Sequence, residues 1–115
     1  MPADTMKLMP LTALGQAADC LRVMAHPIRL RIAEILLQGE FPVHRIAEWC
    51  GISPHQTCEH LRWMQSNGLL SSERRGRAVY YRITSPRLPR LMECIAAHCD
   101  GEVERKDDLK ESVKE

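Results

Sequence analysis

Several features that would mark this 115-residue chain as a membrane protein, a secreted protein or an enzyme are missing from its sequence. No apolar run approaches the roughly 20 residues that a membrane-spanning helix needs. The first residues lack the basic, apolar and small segments of a signal peptide. There is no glycine-rich phosphate loop, no Cys-x-x-Cys pair and no Ser/His/Asp arrangement. We therefore expect a cytoplasmic protein that does not bind membranes and is not an enzyme.

Aromatic residues are also scarce, since one Phe, two Tyr and two Trp make up 4% of the chain. Aliphatic residues supply most of the apolar content, and their helical spacing favours a mainly α protein. At this length the chain is one domain with a modest core, so any larger interface must come from a partner. The five cysteines are more typical of core residues, ligands or redox thiols than of a disulfide framework in an intracellular protein.

The stretch from Ser53 to Ser66 predicts a helix that presents one side to a partner. It begins with a hydroxyl N-cap, a proline at the first helical position and an amide three residues after the cap, which together are typical of a capping box. The stripe expected to pack consists of Thr57, Leu61 and Met64. The opposite side consists of His55, Glu59, Arg62 and Ser66, with Gln56 and Trp63 at its edge.

The segments on either side of this helix complete the pattern of a winged helix. Before it, IAEWCGIS predicts a short helix that ends at Gly51, followed by the short turn of a helix-turn-helix. After it, Asn67-Gly68 is a helix stop, and two strands follow with basic residues 74–77 at their tip. Alternation in the second strand predicts that Val79, Tyr81 and Ile83 face inward.

The predicted fold class is mainly α with a small antiparallel β-hairpin, in the order of four helices, two strands and a fifth helix. Residues 11–99 form the winged helix and dimerisation domain, after a flexible arm at 1–10 and before an acidic, disordered tail at 100–115. The apolar stripes of the first and last helices exceed what so small a domain can cover. They are the candidates for a two-fold dimer interface.

Basic charge is concentrated in the predicted helix-turn-helix and hairpin. The net charge is only +1, but residues 53–82 hold five Arg and two Glu, a local excess of +3. Residues 100–115 hold four basic and seven acidic residues, an excess of −3. This distribution favours a nucleic-acid partner for residues 53–82, although a solvated surface of mixed charge is an equally simple explanation.

Four segments in this order resemble the ArsR/SmtB family of dimeric bacterial repressors. MAHPIRLRIAEILLQGE resembles the second helix of the family, IAEWCGIS followed by HLRWMQSNGLL resembles its helix-turn-helix, and RRGRAVYYRI resembles its wing. The match covers about residues 21–83. The resemblance implies a homodimeric, sequence-specific DNA-binding repressor. Such a protein binds an imperfect palindrome in double-stranded DNA and is released from this operator by an inducer.

The resemblance also implies which residues contact DNA. Carried over position by position, they are Ser53, His55, Gln56, Glu59 and Arg62 on the helix and Arg74, Arg75 and Arg77 on the wing. Glutamine can pair with adenine, and glutamate can accept a hydrogen bond from cytosine N4. Family helices often have Ser or Thr in place of His55 and Gln56 and His in place of Glu59, so the operator sequence does not follow.

The inducer is left open by the resemblance. The family has two frequent zinc sites. The first uses a cysteine pair before the third helix, and the residues at these two positions here are Pro42 and His44. Of the ligands of the second site only His98 is present, so neither zinc site is complete. The cysteines offer another possibility: a thiophilic metal(loid) ion, or an oxidant, sensed by Cys94, Cys99 and Cys20.

Two alternatives remain at this stage. The same cysteines are also suited to packing, in a regulator with no metal site. The chain could also be a winged helix that serves as a protein-interaction module, with its acidic tail and its last helix recruiting a partner.

Overall fold

The computed structural model describes residues 6–98, which form a winged helix. Its helices are α1 (Leu11–Met24), α2 (Pro27–Leu36), α3 (Val43–Cys50), α4 (Pro54–Ser66) and α5 (Arg87–His98). Its strands are β1 (Phe41–Pro42), β2 (Leu70–Arg75) and β3 (Ala78–Ile83). The predicted fold class is confirmed. In the described part of the chain, every helix is too short or too polar to cross a membrane.

The predicted terminal segments are largely outside this description. Residues 6–10 have no regular secondary structure. The remainder of the predicted arm, together with Cys99 and the predicted tail at 100–115, lies outside the described residues. The domain boundaries at 10 and 99 therefore stay predictions.

Strand β1 was absent from the predicted order and makes the hairpin a three-stranded antiparallel sheet with the strand order β1-β3-β2. Phe41 pairs with Tyr81 and Pro42 with Tyr80. A strand of two residues is too short to show an alternation of polar and apolar side chains. Its proline is tolerated because β1 is an edge strand. This strand ties the segment before α3 to the wing.

The helix-turn-helix has the predicted geometry. Helix α3 ends at Gly51, whose φ of 72° lies in the left-handed region that glycine adopts without a steric penalty. The amide of Gly51 donates to the Ala47 carbonyl at 2.9 Å, and the amide of Ile52 donates to the same carbonyl at 3.3 Å. Three residues thus separate α3 from the start of α4 at Pro54.

One hydrophobic core lies beneath α4 and is shared by all five helices and the sheet. Its fully buried large side chains are Met24, Ile32, Ile46, Leu61, Met64 and Leu88. Leu88 comes from α5, so the last helix is anchored in the core at its first turn. Tyr81 is buried as predicted for the inward side of β3, whereas Val79 and Ile83 are only half-buried.

Helix α1 leaves much of its apolar surface in solvent. Leu11, Leu14 and Leu21 are 83%, 44% and 54% exposed, while Cys20, Val23 and Met24 pack inward. Helix α5 similarly leaves Ile95 half-buried. These exposed leucines agree with the expectation that α1 carries apolar surface that a single domain does not cover.

We expect substitution of the leucine on the buried face of α4 to lower the free energy of unfolding more than substitution of an exposed leucine. Leu61→Ala should lower the free energy of unfolding by about 2–5 kcal/mol, because it leaves a cavity in a fully buried site. Leu37→Ala is the matched control, since Leu37 is 42% exposed and should change the same quantity by less than about 1 kcal/mol. Urea denaturation at one fixed protein concentration measures both, and equal losses would contradict the assignment of α4 to the core.

Candidate nucleic-acid interface

Helix α4 begins at a complete capping box. The amide of Gln56 donates to Ser53 Oγ at 3.1 Å, and the amide of Ser53 donates to Gln56 Oε1 at 3.3 Å. Pro54 occupies the first turn, where a missing N–H costs nothing. These bonds satisfy two amides that the helix cannot pair internally. The start of α4, as the sequence predicts, is therefore fixed in place.

The two sides of α4 differ in the way its sequence predicts. Thr57, Leu61 and Met64 are buried. The Thr57 hydroxyl donates to the Ser53 carbonyl at 2.9 Å, so this buried polar group is satisfied. The exposed side carries His55, Gln56, Glu59, Arg62 and Ser66. With one face held by the core, α4 presents the other to solvent.

The capping box occupies two of the residues that the family resemblance assigns to DNA. Ser53 Oγ accepts a hydrogen bond from the Gln56 amide and lies 3.3 Å from Gln56 Oε1. Gln56 Oε1 is therefore already an acceptor, and only its amide nitrogen remains free to donate to a base. A bidentate pair between Gln56 and adenine needs both atoms, so it would require the capping box to open.

The wing arginines are not equivalent. Arg75 forms an ion pair with Glu40 and another with Glu73 at 2.8 Å, and its guanidinium carbon lies 4.6 Å from the centre of the Tyr80 ring. Tyr80, predicted to face outward, is half-buried beneath this guanidinium. Neither Arg74 nor Arg77 forms an ion pair with any residue from 6 to 98, and both are exposed. Arg74 and Arg77 are therefore the wing cations open to a ligand.

Glu40 belongs to this surface, although it was not among the predicted DNA contacts. Its carboxylate contacts Arg75 and lies 3.9 Å from Arg82 Nη1, so it joins the segment before α3 to both strands of the wing. Arg75 and Glu40 are 35 positions apart in sequence. Glu40 is the last residue of the segment that resembles the second helix of the family, but no local pattern links it to a residue so far away in sequence.

The cysteines lie in different surroundings. Cys20 is buried in α1 and faces an open cleft of about 390 Å³, whose other lining residues are Gln16, Asp19, Asn67, Gly68, Leu69 and Arg87. Burial raises the pKa of the Cys20 thiol, against a smaller opposing effect of Arg87. Cys94 is exposed on α5, and Cys99 lies outside the described residues.

A metal site does not form from the described residues alone. Between residues 6 and 98 there is no group of three His, Cys, Asp or Glu side chains that could hold a metal ion. Cys50 is buried in the core, and burial raises its pKa to about 11. His44 is exposed at the start of α3.

No family model matches the chain, but comparison with individual relatives identifies its family. A probable mercury resistance operon repressor of Streptomyces lividans is 32% identical over 91 residues, which are 76% of this chain and 73% of the relative. The chain belongs to the ArsR/SmtB family. The transcriptional repressor SmtB of Mycobacterium tuberculosis is 28% identical over 89 residues, covering 77% of this chain and 66% of SmtB.

A solved structure of an ArsR-type domain agrees with this assignment. The homodimeric winged helix-turn-helix DNA-binding domain of a possible ArsR-family regulator from Mycobacterium bovis is 27% identical, with a TM-score of 0.67. The alignment covers 87% of this chain and 99% of that domain. Since ArsR/SmtB proteins are DNA-binding transcriptional repressors, the chain is a regulator and not an enzyme. The exposed side of α4 and the exposed arginines of the wing are the candidate surface for DNA.

The environments of the cysteines predict their order of alkylation. In the native, reduced protein at pH 8, iodoacetamide should modify Cys94 much faster than Cys50, as measured by peptide mass spectrometry over time. Cys94 is exposed, whereas Cys50 is buried and, with a pKa of about 11, only roughly one part in a thousand thiolate at this pH. In denaturant the two rates should converge. Equally fast modification of Cys50 and Cys94 in the native protein would contradict the described packing.

Proposed function

We propose that the chain acts in the cytoplasm as a homodimer that binds an operator in double-stranded DNA and is released by an inducer. The observation that carries this proposal is the two-sided α4, whose buried face is held by the core while its polar face is exposed. A two-fold dimer would carry two such helices. Helices about 34–36 Å apart can enter successive major grooves on one side of DNA, which matches a palindromic operator.

Helix α4 would contact the bases through exposed side chains that take no part in capping the helix. Glu59 and Arg62 lie on this face, one turn apart, with His55 near the start of the helix. Glutamate can accept from cytosine N4, and arginine can donate to guanine O6 and N7. Gln56 would add its amide donor, and Ser53 would mark the end of the helix nearest a phosphate.

The wing would hold the DNA backbone beside the groove. Arg74 and Arg77 are exposed and have no carboxylate partner among residues 6–98, so their charges are available to phosphates. Arg75 is held by Glu40 and Glu73 and would mainly keep the wing in position. Phosphate contacts of this kind fix orientation on DNA but carry little sequence information.

The dimer would form through α1 and α5. The leucines of α1 are exposed in the single chain, and the relative from Mycobacterium bovis is homodimeric. A two-fold contact between identical apolar patches is the usual way in which such surfaces are buried.

The inducer would be a thiol-reactive metal(loid) or an oxidant. The Streptomyces lividans relative is named for a mercury resistance operon, and soft thiolate ligands favour soft ions. Cys94 is exposed on α5, and Cys20 lies beside the cleft between α1, the turn after α4 and the start of α5. Modification near these helices could alter the angle between the two α4 helices of a dimer.

The two classes of wing arginine allow a sharp test of DNA binding. We expect Arg77→Ala to reduce the slope of log affinity against log salt by about 0.9, the value for one lost phosphate contact. Arg75→Ala is the matched control and should change the slope less, because its charge is already paired with Glu40 and Glu73. Fluorescence anisotropy with the upstream promoter region between 50 and 200 mM salt measures both. Affinity that does not depend on salt would contradict the proposed interface.

Release by an inducer can be tested on the reduced protein bound to the same DNA. Mercuric ion, arsenite, cadmium, zinc, peroxide and a persulfide donor would each be titrated separately. If thiols sense the inducer, one thiophilic agent should release the DNA, and Cys94→Ser combined with Cys99→Ser should abolish that release. Cys50→Ala is the control, since Cys50 belongs to the core. Release that survives the double substitution and Cys20→Ser would exclude these cysteines as the sensor.

A further inference from the structure

A hydrogen-bonded junction connects the end of α1 to the proposed DNA-reading helix through a single side chain of α2. Arg29 Nη1 donates to the Val23 carbonyl at 3.0 Å, and Arg29 Nε donates to His60 Nδ1 at 3.3 Å. The Val23 carbonyl lies in the last turn of α1, where no amide of the helix itself is available to pair with it. One guanidinium therefore bonds two helices that are not neighbours in sequence.

A second histidine packs against this junction. The His26 and His60 rings lie 4.7 Å apart, centre to centre, and are tilted by 54°. His26 Nδ1 accepts a hydrogen bond from the Ile28 amide at 3.1 Å and so caps α2, as its place before Pro27 predicts. Arg29 and both imidazoles are partly buried. They form a compact polar contact between α2 and the middle of α4.

The protonation state of His60 is set by this geometry. Because Arg29 donates to Nδ1, that nitrogen must carry a lone pair, and the ring is neutral with its proton on Nε2. A proton added at Nδ1 would oppose the Arg29 N–H and place a cation beside the guanidinium. The groups that act on His60 are His26 and Arg29 of the α2 segment and Glu59 of its own helix. Of these, only Glu59 favours the charged imidazole, and it is exposed.

We propose that Arg29 and His60 are positioning residues for DNA binding, which couple the end of α1 to α4 only while His60 is neutral. Mild acid therefore breaks the Arg29–His60 hydrogen bond between α2 and α4 and weakens DNA binding. This inference rests on the proposed role of α4 as the DNA-reading helix. The regulator would then respond to pH as well as to an inducer, and this response acts through the packing of α4 and needs no cysteine.

The pH range follows from the direction of the pKa shift. Burial, followed by the charges of His26 and Arg29, lowers the pKa of His60 below its ordinary value of 6.5. The unfolded chain then binds a proton more readily than the folded chain. The stabilising contribution of neutral His60 is complete above about pH 6.5 and is lost as the pH falls from there toward the lower folded pKa.

The sign of this effect separates it from a direct effect on DNA contacts. A histidine that faces a phosphate gains charge in acid and strengthens DNA binding. Protonation of His60 instead breaks a bond that holds α4 in position, so it weakens binding.

The test follows DNA affinity from pH 7.5 down to the lowest pH at which the protein stays folded, at constant ionic strength, using the full chain and its upstream promoter region. The unmodified protein should bind progressively more weakly as the pH falls below 6.5, by roughly fivefold or more once His60 is protonated, the lower end of typical coupling between sites. His60→Asn keeps an acceptor near the position of Nδ1 but does not titrate, so it should bind well at pH 7.5 and lose most of the acid effect. Arg29→Lys cannot reach both partners in the same way and should bind more weakly already at pH 7.5.

His44→Asn is the matched control, because His44 is an exposed histidine of α3 outside the junction. It should keep the pH profile of the unmodified protein. An acid response that is the same in His60→Asn as in the unmodified protein would overturn the inference.

The tautomer of His60 gives a readout that needs neither DNA nor a variant. Long-range ¹H–¹⁵N NMR spectra at pH 7.5 should show the proton of His60 on Nε2. A proton on Nδ1 would overturn the junction. If the protein bound no DNA at any pH, the proposed function would fail, while the tautomer and the pH dependence of unfolding would still test the contact itself.

Discussion

The burial of one face of α4 is the constraint on which the rest of this surface depends. Leu61 and Met64 are fully buried, and the Thr57 hydroxyl is satisfied by the Ser53 carbonyl at 2.9 Å. A helix can rotate about its axis unless its buried face fixes it, and here apolar contacts and a capped start do so together. The identity of the exposed residues follows from that orientation.

Much of the fold was predictable because its signals are local. Caps, helix stops and apolar spacing are encoded within a few residues, and the predicted helix stop at Gly51 and helix cap at Ser53 are those observed. The wing was predicted from its turn residues and from the alternation of inward and outward side chains along its second strand. Strand β1 was missed because its pairing with β3 depends on chain segments about forty residues apart, which no local pattern records.

The candidate site was predictable as a surface but not as a set of interactions. Family positions assign Arg74, Arg75 and Arg77 alike to the wing, yet only Arg75 is held by Glu40 and Glu73. The difference comes from a contact between residues 35 positions apart. The same is true of Arg29 and His60, which are 31 positions apart and meet only after α2 and α4 pack together. Spacing identifies which residues share a helix face, whereas tertiary packing decides which of them remain free.

Intramolecular hydrogen bonds on this surface compete with DNA for the same atoms. Gln56 Oε1 and the Arg75 guanidinium are already engaged by protein partners. A DNA contact to either must replace an existing bond, so its net gain is the difference between two interactions and not the strength of one. Arg74 and Arg77 are exposed and have no carboxylate partner among residues 6–98, so a DNA contact there displaces no protein bond from this part of the chain. Affinity should therefore come chiefly from the unpaired cations, while the engaged residues hold α4 and the wing in the geometry that makes those contacts specific.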